Sequence, residues 1–352
     1  MKAAILYGPR DFRVEEVDAP ELGDRGVLIQ VKVCGICPSD VRTYTGDKAS
    51  VTYPQRPGHE WVGEVLETGP AVSRFKRGDR VGAFVQVVCG MCQNCQRGLS
   101  NMCLVRRSPD GDELLPSTRP GGFAEIGWAV PEALEHIPDG LPYEVAAFAE
   151  PLACCLNGIN RTPISPGATV VVIGMGPIGQ LLSQLARLRG ARVLGLDILP
   201  ERLELTKELD IADMVLASET GVADEVLDLT AGRGAEAVIV AVGSPKAESL
   251  AFDLVGEGGC VNFFAGTYPP STVPIDPNVV HYKQLWVTGS YHFTPDGFRA
   301  ALELLGRGAV RVTPLVSHYL PLARVAEGFN IVANRRGNKV LICMDGDSQL
   351  SA

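Results

Sequence analysis

Residues 170–179, VVVIGMGPIG, place a short apolar run directly before three glycines in the spacing Gly-x-Gly-x-x-Gly. A helical pattern at 177–189 follows, so the motif stands between a predicted strand and a predicted helix, the context in which it binds a dinucleotide. Gly174 allows the tight turn, Gly176 lets backbone approach a pyrophosphate, and Gly179 lets the helix pack closely on the strand. The helix N-terminus offers N–H groups and a positive partial charge to the phosphates.

Other residues extend this predicted cofactor site. Asp197 ends the next predicted strand, where a carboxylate accepts hydrogen bonds from the ribose hydroxyls and repels a 2′-phosphate, which favours NAD over NADP. FAD and other ligands of the same sheet also fit the glycine motif. The remaining cofactor candidates are Pro177 and Ile178 at the start of the helix, Arg202 after Asp197, Val242 at the end of a later strand, and Gly266 after the strand that follows.

The rest of the chain divides into two patterns. Apolar strands alternate with helices through the middle, which predicts a parallel, doubly wound sheet. The segment before it has short alternating strands with frequent Gly and Pro, which predicts a mostly-β domain. We expect a catalytic domain at 1–152, a dinucleotide-binding domain at 153–290, and a segment at 291–352 that returns to the first. The predicted strands are 27–33, 61–67, 80–84, 169–173, 191–196, 214–217, 237–242, 260–264 and 285–288, and the predicted helices are 143–161, 177–189, 201–209, 222–231 and 246–255.

Composition limits the class of protein. The 352 residues carry a formal charge of -9 and a pI near 5.2, so no basic surface indicates nucleic-acid binding. An uncharged run at 162–186 is interrupted by Gly and Pro and fits a strand, turn and helix better than a membrane span. The first residues lack the pattern of a signal peptide, so we expect a cytoplasmic protein whose ten cysteines are thiols or metal ligands.

Four cysteines lie close together in an otherwise polar segment. Two, two and seven residues separate Cys89, Cys92, Cys95 and Cys103. Four thiolates can close a tetrahedral shell around zinc and leave no open position, as a structural site requires. An iron–sulfur cluster is the alternative.

A second set of possible metal ligands is spread along the chain. Cys37, His59, Glu60 and Glu150 all offer donors that zinc accepts, and a catalytic zinc needs few protein ligands and one open position. Taken singly, each has a simpler explanation as a buried thiol, a core histidine or a helix-end carboxylate.

The chain resembles the zinc-containing medium-chain dehydrogenases/reductases, the alcohol dehydrogenase family. The resemblance rests on Gly58-His59-Glu60 with Gly63, Gly69 and Val72, on the cysteine segment, on the glycine turn with Asp197, and on residues 121–125, GGFAE. Glu150-Pro151-Leu152, in place of a cysteine ligand, is similar to the sorbitol and threonine dehydrogenase branch. The resemblance implies a GroES-like, mostly-β catalytic domain beside a Rossmann domain.

The resemblance also implies a role for each residue. Cys37 and His59 bind a catalytic zinc, Glu60 is a third ligand, and Glu150 is a ligand or a hydrogen-bond partner of zinc-bound water. Asp40 orients His59, and Ser39 contacts the substrate hydroxyl and passes on its proton. Two zinc ions per chain and NAD are the implied cofactors, and zinc lowers the pKa of the hydroxyl from which hydride leaves.

We expect the substrate to be a secondary alcohol of a polyol, cyclitol or sugar-type molecule, oxidised to a ketone. The alternatives are a threonine-type amino alcohol, a simple alcohol, or a non-catalytic NAD-binding protein on the same fold. Arg42 stands where relatives often carry the last histidine of a proton relay. Because arginine stays protonated and is a poor base, the proton must leave by water, by Tyr44 or through a cofactor ribose. Assembly as a homodimer or homotetramer is expected, with no nucleic-acid or membrane partner.

Overall fold

The computed structural model describes residues 1–48, 51–84, 87–105, 118–119, 121–217, 221–267 and 269–344. The chain forms two units, Met1–Ala153 with Thr294–Ala352 (unit 1) and Cys154–Phe293 (unit 2). The sequence-based boundaries at 152 and 290 fall within three residues of these.

The elements follow in chain order. They are β1 (Lys2–Leu6), β2 (Phe12–Glu16), β3 (Val27–Gly35), α1 (Pro38–Thr45), β4 (Glu60–Thr68), β5 (Arg80–Ala83), α2 (Gln93–Gln96), β6 (Thr118–Arg119), β7 (Ile126–Ala129), β8 (Leu134–His136), α3 (Tyr143–Ala146), α4 (Ala149–Asn160), β9 (Thr169–Ile173), α5 (Pro177–Leu188), β10 (Arg192–Asp197), α6 (Pro200–Glu208), β11 (Met214–Ala217), α7 (Val222–Leu229), β12 (Ala235–Val240), α8 (Pro245–Leu254), β13 (Val255–Phe263), α9 (Pro277–Tyr282), β14 (Trp286–Gly289), α10 (Pro295–Gly306), β15 (Val316–Pro321), α11 (Val325–Ala333) and β16 (Lys339–Cys343).

Unit 1 is built on a largely antiparallel sheet with the strand order β15-β16-β3-β4-β5-β8, to which β7 and β6 are added beside β3. Strand β3 alternates buried and half-buried residues along most of its length and ends in a fully buried stretch. The chain's last strand, β16, lies next to β3, with Leu341 paired to Gly35. On the other side of β3, Gly35 is paired to Glu60 of β4.

Unit 2 is a six-stranded parallel sheet with the order β11-β10-β9-β12-β13-β14. Strand β9 is buried at every position, as expected for a parallel strand covered on both faces. The order reverses between β9 and β12, and ligands of such sheets bind outside the carboxyl ends of the strands at that point. The glycine turn follows β9 directly.

The structure corrects some predicted boundaries. The single helix predicted at 143–161 is wrong: it is two helices, α3 and α4. The amide of Phe148 bonds to the carbonyl of Val145, three residues back, and this tighter turn separates the helices. Pro151 has no N–H to donate to the carbonyl of Ala147, four residues back, and its ring crowds that carbonyl, so a continuous helix is interrupted there. Val255 begins β13 rather than ending α8, and Val242 lies beyond the end of β12.

In the part of the chain that the structure describes, no helix has the length and apolarity needed to cross a membrane.

Candidate active site

Three potential metal ligands converge in unit 1. Cys37 immediately precedes helix α1, and His59 and Glu60 lie where the chain enters strand β4. One ligand atom from each lies within 4.8 Å of those of the other two. Sulfur, imidazole nitrogen and carboxylate oxygen are the donors that zinc takes in catalytic sites, where three protein ligands leave a position open. The donor set therefore fits a catalytic zinc.

The imidazole of His59 contacts the carboxylate of Asp40 through its Nδ1 atom. Nδ1 of His59 lies 3.2 Å from Oδ1 of Asp40, in the first turn of α1. Oδ2 of Asp40 is buried with no hydrogen-bond partner among the described residues. Burial disfavours a charge on His59, but the charges of Asp40 and Cys37 outweigh it and hold the pKa of His59 well above its usual value. Since a metal displaces this proton, binding at Nε2 is coupled to proton release.

Two further predicted residues border this group. Oγ of Ser39 donates a hydrogen bond to Sγ of Cys37 across 3.2 Å, and the serine side chain is exposed. Glu150, in the first turn of α4, is buried. Burial, aided by the charge of Glu60 and opposed by His59, raises the pKa of Glu150 to about 7. Glu150 stands outside the group of three within 4.8 Å, but the charges of His59 and Glu60 act on its carboxyl group.

Lys339, which the sequence analysis missed, completes the cluster. Its Nζ donates to Oε2 of Glu60 and, across 3.3 Å, to the carbonyl of Ile36, and the side chain is 5% exposed. Burial disfavours the ammonium charge, but Glu60 and Cys37 outweigh it, so the pKa of Lys339 is raised. The sequence signal for this residue is a charge at the head of the buried strand 339–343, KVLIC.

The four cysteines of the predicted structural site form a compact group. The sulfur–sulfur distances are 3.5 Å for Cys89–Cys103 and Cys92–Cys95, 3.9 Å for Cys92–Cys103, and 4.0 Å for Cys89–Cys95. Zinc–sulfur bonds of about 2.3 Å in a tetrahedron separate the sulfurs by about 3.8 Å. An iron–sulfur cluster places several atoms between its cysteines and needs wider spacing. The geometry therefore favours one zinc ion.

Backbone N–H groups support thiolates at this cluster. Cys92 N donates to Sγ of Cys89 across 3.3 Å, and Leu104 N donates to Sγ of Cys92 across 3.4 Å. The amides of Cys95 and Leu104 lower the pKa of Cys92 to about 6, whereas burial and the neighbouring thiols raise that of Cys95 to about 12. With its pKa at about 12, the thiol of Cys95 ionises near neutral pH only when a cation balances its charge.

In unit 2 the glycine turn has the conformation that the motif predicts. Gly174 has φ 97°, a region that favours glycine. A Cβ on Gly179 would lie 1.7 Å from the carbonyl oxygen of Gly174, so only glycine allows α5 to approach β9 this closely. Gly176 is the N-cap and Pro177 the first helical residue, with Ile178 next, and no side chain from the described residues caps the helix. The first turn thus offers its N–H groups to an anion.

Asp197 is fixed beside this turn. One carboxylate oxygen accepts from the amides of Ile198 and Leu199, at 2.7 and 3.0 Å. The other accepts from the amide of Met175 at 2.7 Å and lies 3.5 Å from Nη1 of Arg202. The backbone therefore holds a negative charge at the end of β10.

The remaining predicted cofactor residues lie at the same edge of the sheet. A Cβ on Gly174 would be 3.2 Å from Cβ of Val242. A Cβ on Gly243 would be 2.4 Å from the carbonyl oxygen of Gly266, so the loops after β12 and β13 pack closely there.

Comparison with known proteins places this geometry in a family. The family model for the alcohol dehydrogenase GroES-like domain matches residues 23–139, and the model for zinc-binding dehydrogenases matches residues 177–307. A sorbitol dehydrogenase of Halalkalibacterium halodurans is 33% identical over 347 residues, which cover 97% of this chain and 99% of that protein. The chain belongs to the zinc-containing alcohol dehydrogenase family. This alcohol dehydrogenase is therefore an oxidoreductase, which confirms the family and the enzyme class predicted from its sequence.

Further relatives match nearly the whole chain. An erythritol/L-threitol dehydrogenase of Mycolicibacterium smegmatis is 32% identical over 95% of this chain and 94% of its own. A zinc-binding dehydrogenase of Sinorhizobium meliloti bound to NADP superposes with a TM-score of 0.86 at 30% identity, covering 97% of this chain and 98% of its own. An alcohol dehydrogenase of Thermus sp. superposes at 0.87 with 29% identity, covering 98% of this chain and 100% of its own. The predicted two-part architecture is confirmed.

Proposed function

We propose that this alcohol dehydrogenase oxidises a secondary hydroxyl of a polyol, cyclitol or sugar-type molecule to a ketone and passes the hydride to NAD. The observation that carries the proposal is the convergence of Cys37, His59 and Glu60 on one point, with Glu150 buried beside them. The named relatives that cover nearly the whole chain include dehydrogenases of sorbitol and of erythritol or L-threitol, which supports a substrate with several hydroxyls.

In this proposal each residue of the catalytic site has a separate role. When bound, zinc supplies a Lewis acid that lowers the pKa of the substrate hydroxyl, and NAD supplies the hydride acceptor. Cys37, His59 and Glu60 hold the metal, Asp40 fixes the orientation of His59, and Glu150 provides a further carboxylate at the site. Oγ of Ser39, which contacts the metal ligand Cys37, would take the substrate proton while the hydroxyl's own proton passes on to water. Cys89, Cys92, Cys95 and Cys103 hold the structural zinc.

Residues 174–179 and Asp197 bind the cofactor, with Arg202, Val242 and Gly266 along the same edge. The fixed carboxylate of Asp197 favours NAD, because a 2′-phosphate would bring negative charge against it. Unit 1 thus carries the catalytic site and unit 2 the dinucleotide, and we propose a cytoplasmic location. The NADP-bound relative makes cofactor choice a point to measure directly.

The proposed partner is a second copy of the chain, in a homodimer or within a homotetramer. Strand β14 pairs with β13 and is the edge strand of its sheet. Trp286 and Val287 on this strand are 67% and 40% exposed. An unpaired strand edge with apolar side chains tends to pair with another strand, and a twofold axis makes that pairing self-complementary. We expect Trp286→Glu to break this interface, so that light scattering gives monomers from a homodimer or dimers from a homotetramer, while Leu188→Glu, an exposed position on α5, keeps the oligomer.

A substrate panel tests the activity. Zinc-loaded protein is assayed for reduced cofactor with polyols, cyclitols, sugar acids, threonine and primary alcohols, each with NAD and with NADP. We expect turnover on vicinal secondary alcohols with NAD. Turnover confined to threonine or primary alcohols would favour the alternative substrates, and turnover with NADP alone would contradict the role given to Asp197. Two zinc ions per chain with no turnover on any compound would reject the substrate class.

A further inference from the structure

The glycine turn at residues 174–176 carries a single side chain, that of Met175, and this side chain is fully buried. A Cβ on Gly195 would lie 2.8 Å from Sδ, 3.0 Å from Cε and 3.3 Å from Cγ of the methionine. Met175 therefore packs on strand β10 in the space that this glycine leaves open. Oγ of Ser183, a buried residue of helix α5, donates to Sδ across 3.9 Å. The side chain thus contacts both the helix and the strand.

The backbone of the same residue binds the carboxylate of Asp197. The amide of Met175 donates to Oδ2 of Asp197 across 2.7 Å. Gly195 and Asp197 are alternate residues of β10 and face the same side of the strand, so Met175 meets one with its side chain and the other with its amide. The amide of Gly174 donates to the carbonyl of Leu196 across 2.7 Å, which attaches the turn to the same strand.

A turn between two glycines has little stiffness of its own. Gly174 has φ 97°, and neither it nor Gly176 has a side chain that could restrict the backbone or pack against a neighbour. The buried methionine side chain is therefore the group that holds this backbone, and with it the amide that orients Asp197. Without that amide, Oδ2 of Asp197 would turn toward Nη1 of Arg202, which lies 3.5 Å away. A carboxylate paired with a guanidinium repels a 2′-phosphate less than a fixed, unneutralised one.

We propose that Met175 is a positioning residue that sets the preference of this dehydrogenase for NAD over NADP: its side chain anchors the glycine turn, and its amide fixes the carboxylate of Asp197. The inference rests on the NAD site of the proposed function. The side chain acts through Asp197 and not on the ribose itself, because it is enclosed in the protein interior.

Met175→Ala tests the proposal because it removes the anchor, whereas Met175→Leu keeps an apolar side chain of similar volume. Dissociation constants for NAD and for NADP are measured by calorimetry on full-length protein. Contacts with the diphosphate are common to both cofactors, so their loss cancels in the ratio of the NADP constant to the NAD constant. We expect Met175→Ala to lower this ratio by about 10-fold or more, the effect of losing one hydrogen bond to a charged group. Met175→Leu should keep the wild-type ratio.

Two further variants separate positioning from general loss of stability. Gly195→Ala disturbs the same contact from the strand, because its Cβ would press on Sδ at 2.8 Å. It should lower the ratio by itself and cause no further fall in the Met175→Ala background, where the space is free. Leu254→Ala, at a fully buried position of α8, costs stability through lost core packing and should keep the ratio.

A wild-type ratio in Met175→Ala overturns the proposal, and so does an equal fall in Leu254→Ala. If Met175→Ala does not fold, Gly195→Ala decides by the same measurement, and an unchanged ratio there overturns the proposal. Wild-type protein that binds NADP more tightly than NAD would reject the cofactor of the proposed function and the role of Met175 with it. A wild-type preference for NAD that the variants leave unchanged rejects only the role of Met175.

Discussion

Replacing Gly179 by alanine tests the fit between helix α5 and strand β9. The added Cβ would lie 1.7 Å from the carbonyl oxygen of Gly174, which is 1.3 Å short of the 3.0 Å below which real Cβ contacts essentially never fall. Both sides of this contact are backbone, so no side chain can rotate away. The helix has to move off the strand, and buried residues of α5 such as Leu182 and Leu185 lose packing with it.

The expected cost follows from this displacement. Overpacking of a dense interior costs about 1–3 kcal/mol, and a clash between two backbones belongs at the upper end. A loss of about 3 kcal/mol lowers the melting temperature of a unit of this size by roughly 10 °C. The first turn of α5 moves with the helix, and losing one hydrogen bond to a charged phosphate, about 1.5–3 kcal/mol, weakens NAD binding by about 10–100-fold.

Two other glycines separate stability from binding. A Cβ on Gly176 first meets the guanidinium of Arg202 at 3.4 Å, which can move, so Gly176→Ala should keep its melting temperature while losing affinity for NAD. A Cβ on Gly266 meets nothing within 4 Å, and Gly266→Ala should melt as wild type does. Melting is followed by circular dichroism and NAD affinity by calorimetry. Gly179→Ala with the melting temperature and NAD affinity of wild type would refute the reasoning.

Three further predictions concern unit 1. Asp40→Asn removes the charge behind His59 and should weaken zinc at the catalytic site by about 10–100-fold in chelator competition, whereas Asp47→Asn should not; equal affinities would argue against a role for Asp40. Cys95→Ser should reduce the metal content from two zinc ions per chain to one and lower the melting temperature, while Cys260→Ala keeps two; two zinc ions in Cys95→Ser would contradict the structural site. Glu135 is nearly buried between Arg74 at 2.5 Å and Arg299 at 2.8 Å, so Glu135→Gln should cost about 1–3 kcal/mol in denaturant unfolding. Glu303→Gln, in an exposed pair, should cost less than about 1 kcal/mol, and equal costs would show that burial is unimportant there.

The sequence by itself determined the features that depend on neighbours along the chain. Three of these features are local patterns: the glycine spacing before α5, the alternation of apolar strands and helices, and the close spacing of the four cysteines. They predict a turn, a parallel sheet and a cluster of four sulfurs. The ligand types at Cys37, His59 and Glu60 were also readable, although their convergence was known only from the resemblance to a family.

Tertiary structure alone decided the features that join distant segments. Nothing near Lys339 in the chain indicates that it reaches Glu60, because the contact exists only when β3 lies between β16 and β4 and Gly35 leaves room. Local periodicity states which face of an element is apolar, but the partner of a buried charge is set by strand order, which is a property of the assembled sheet.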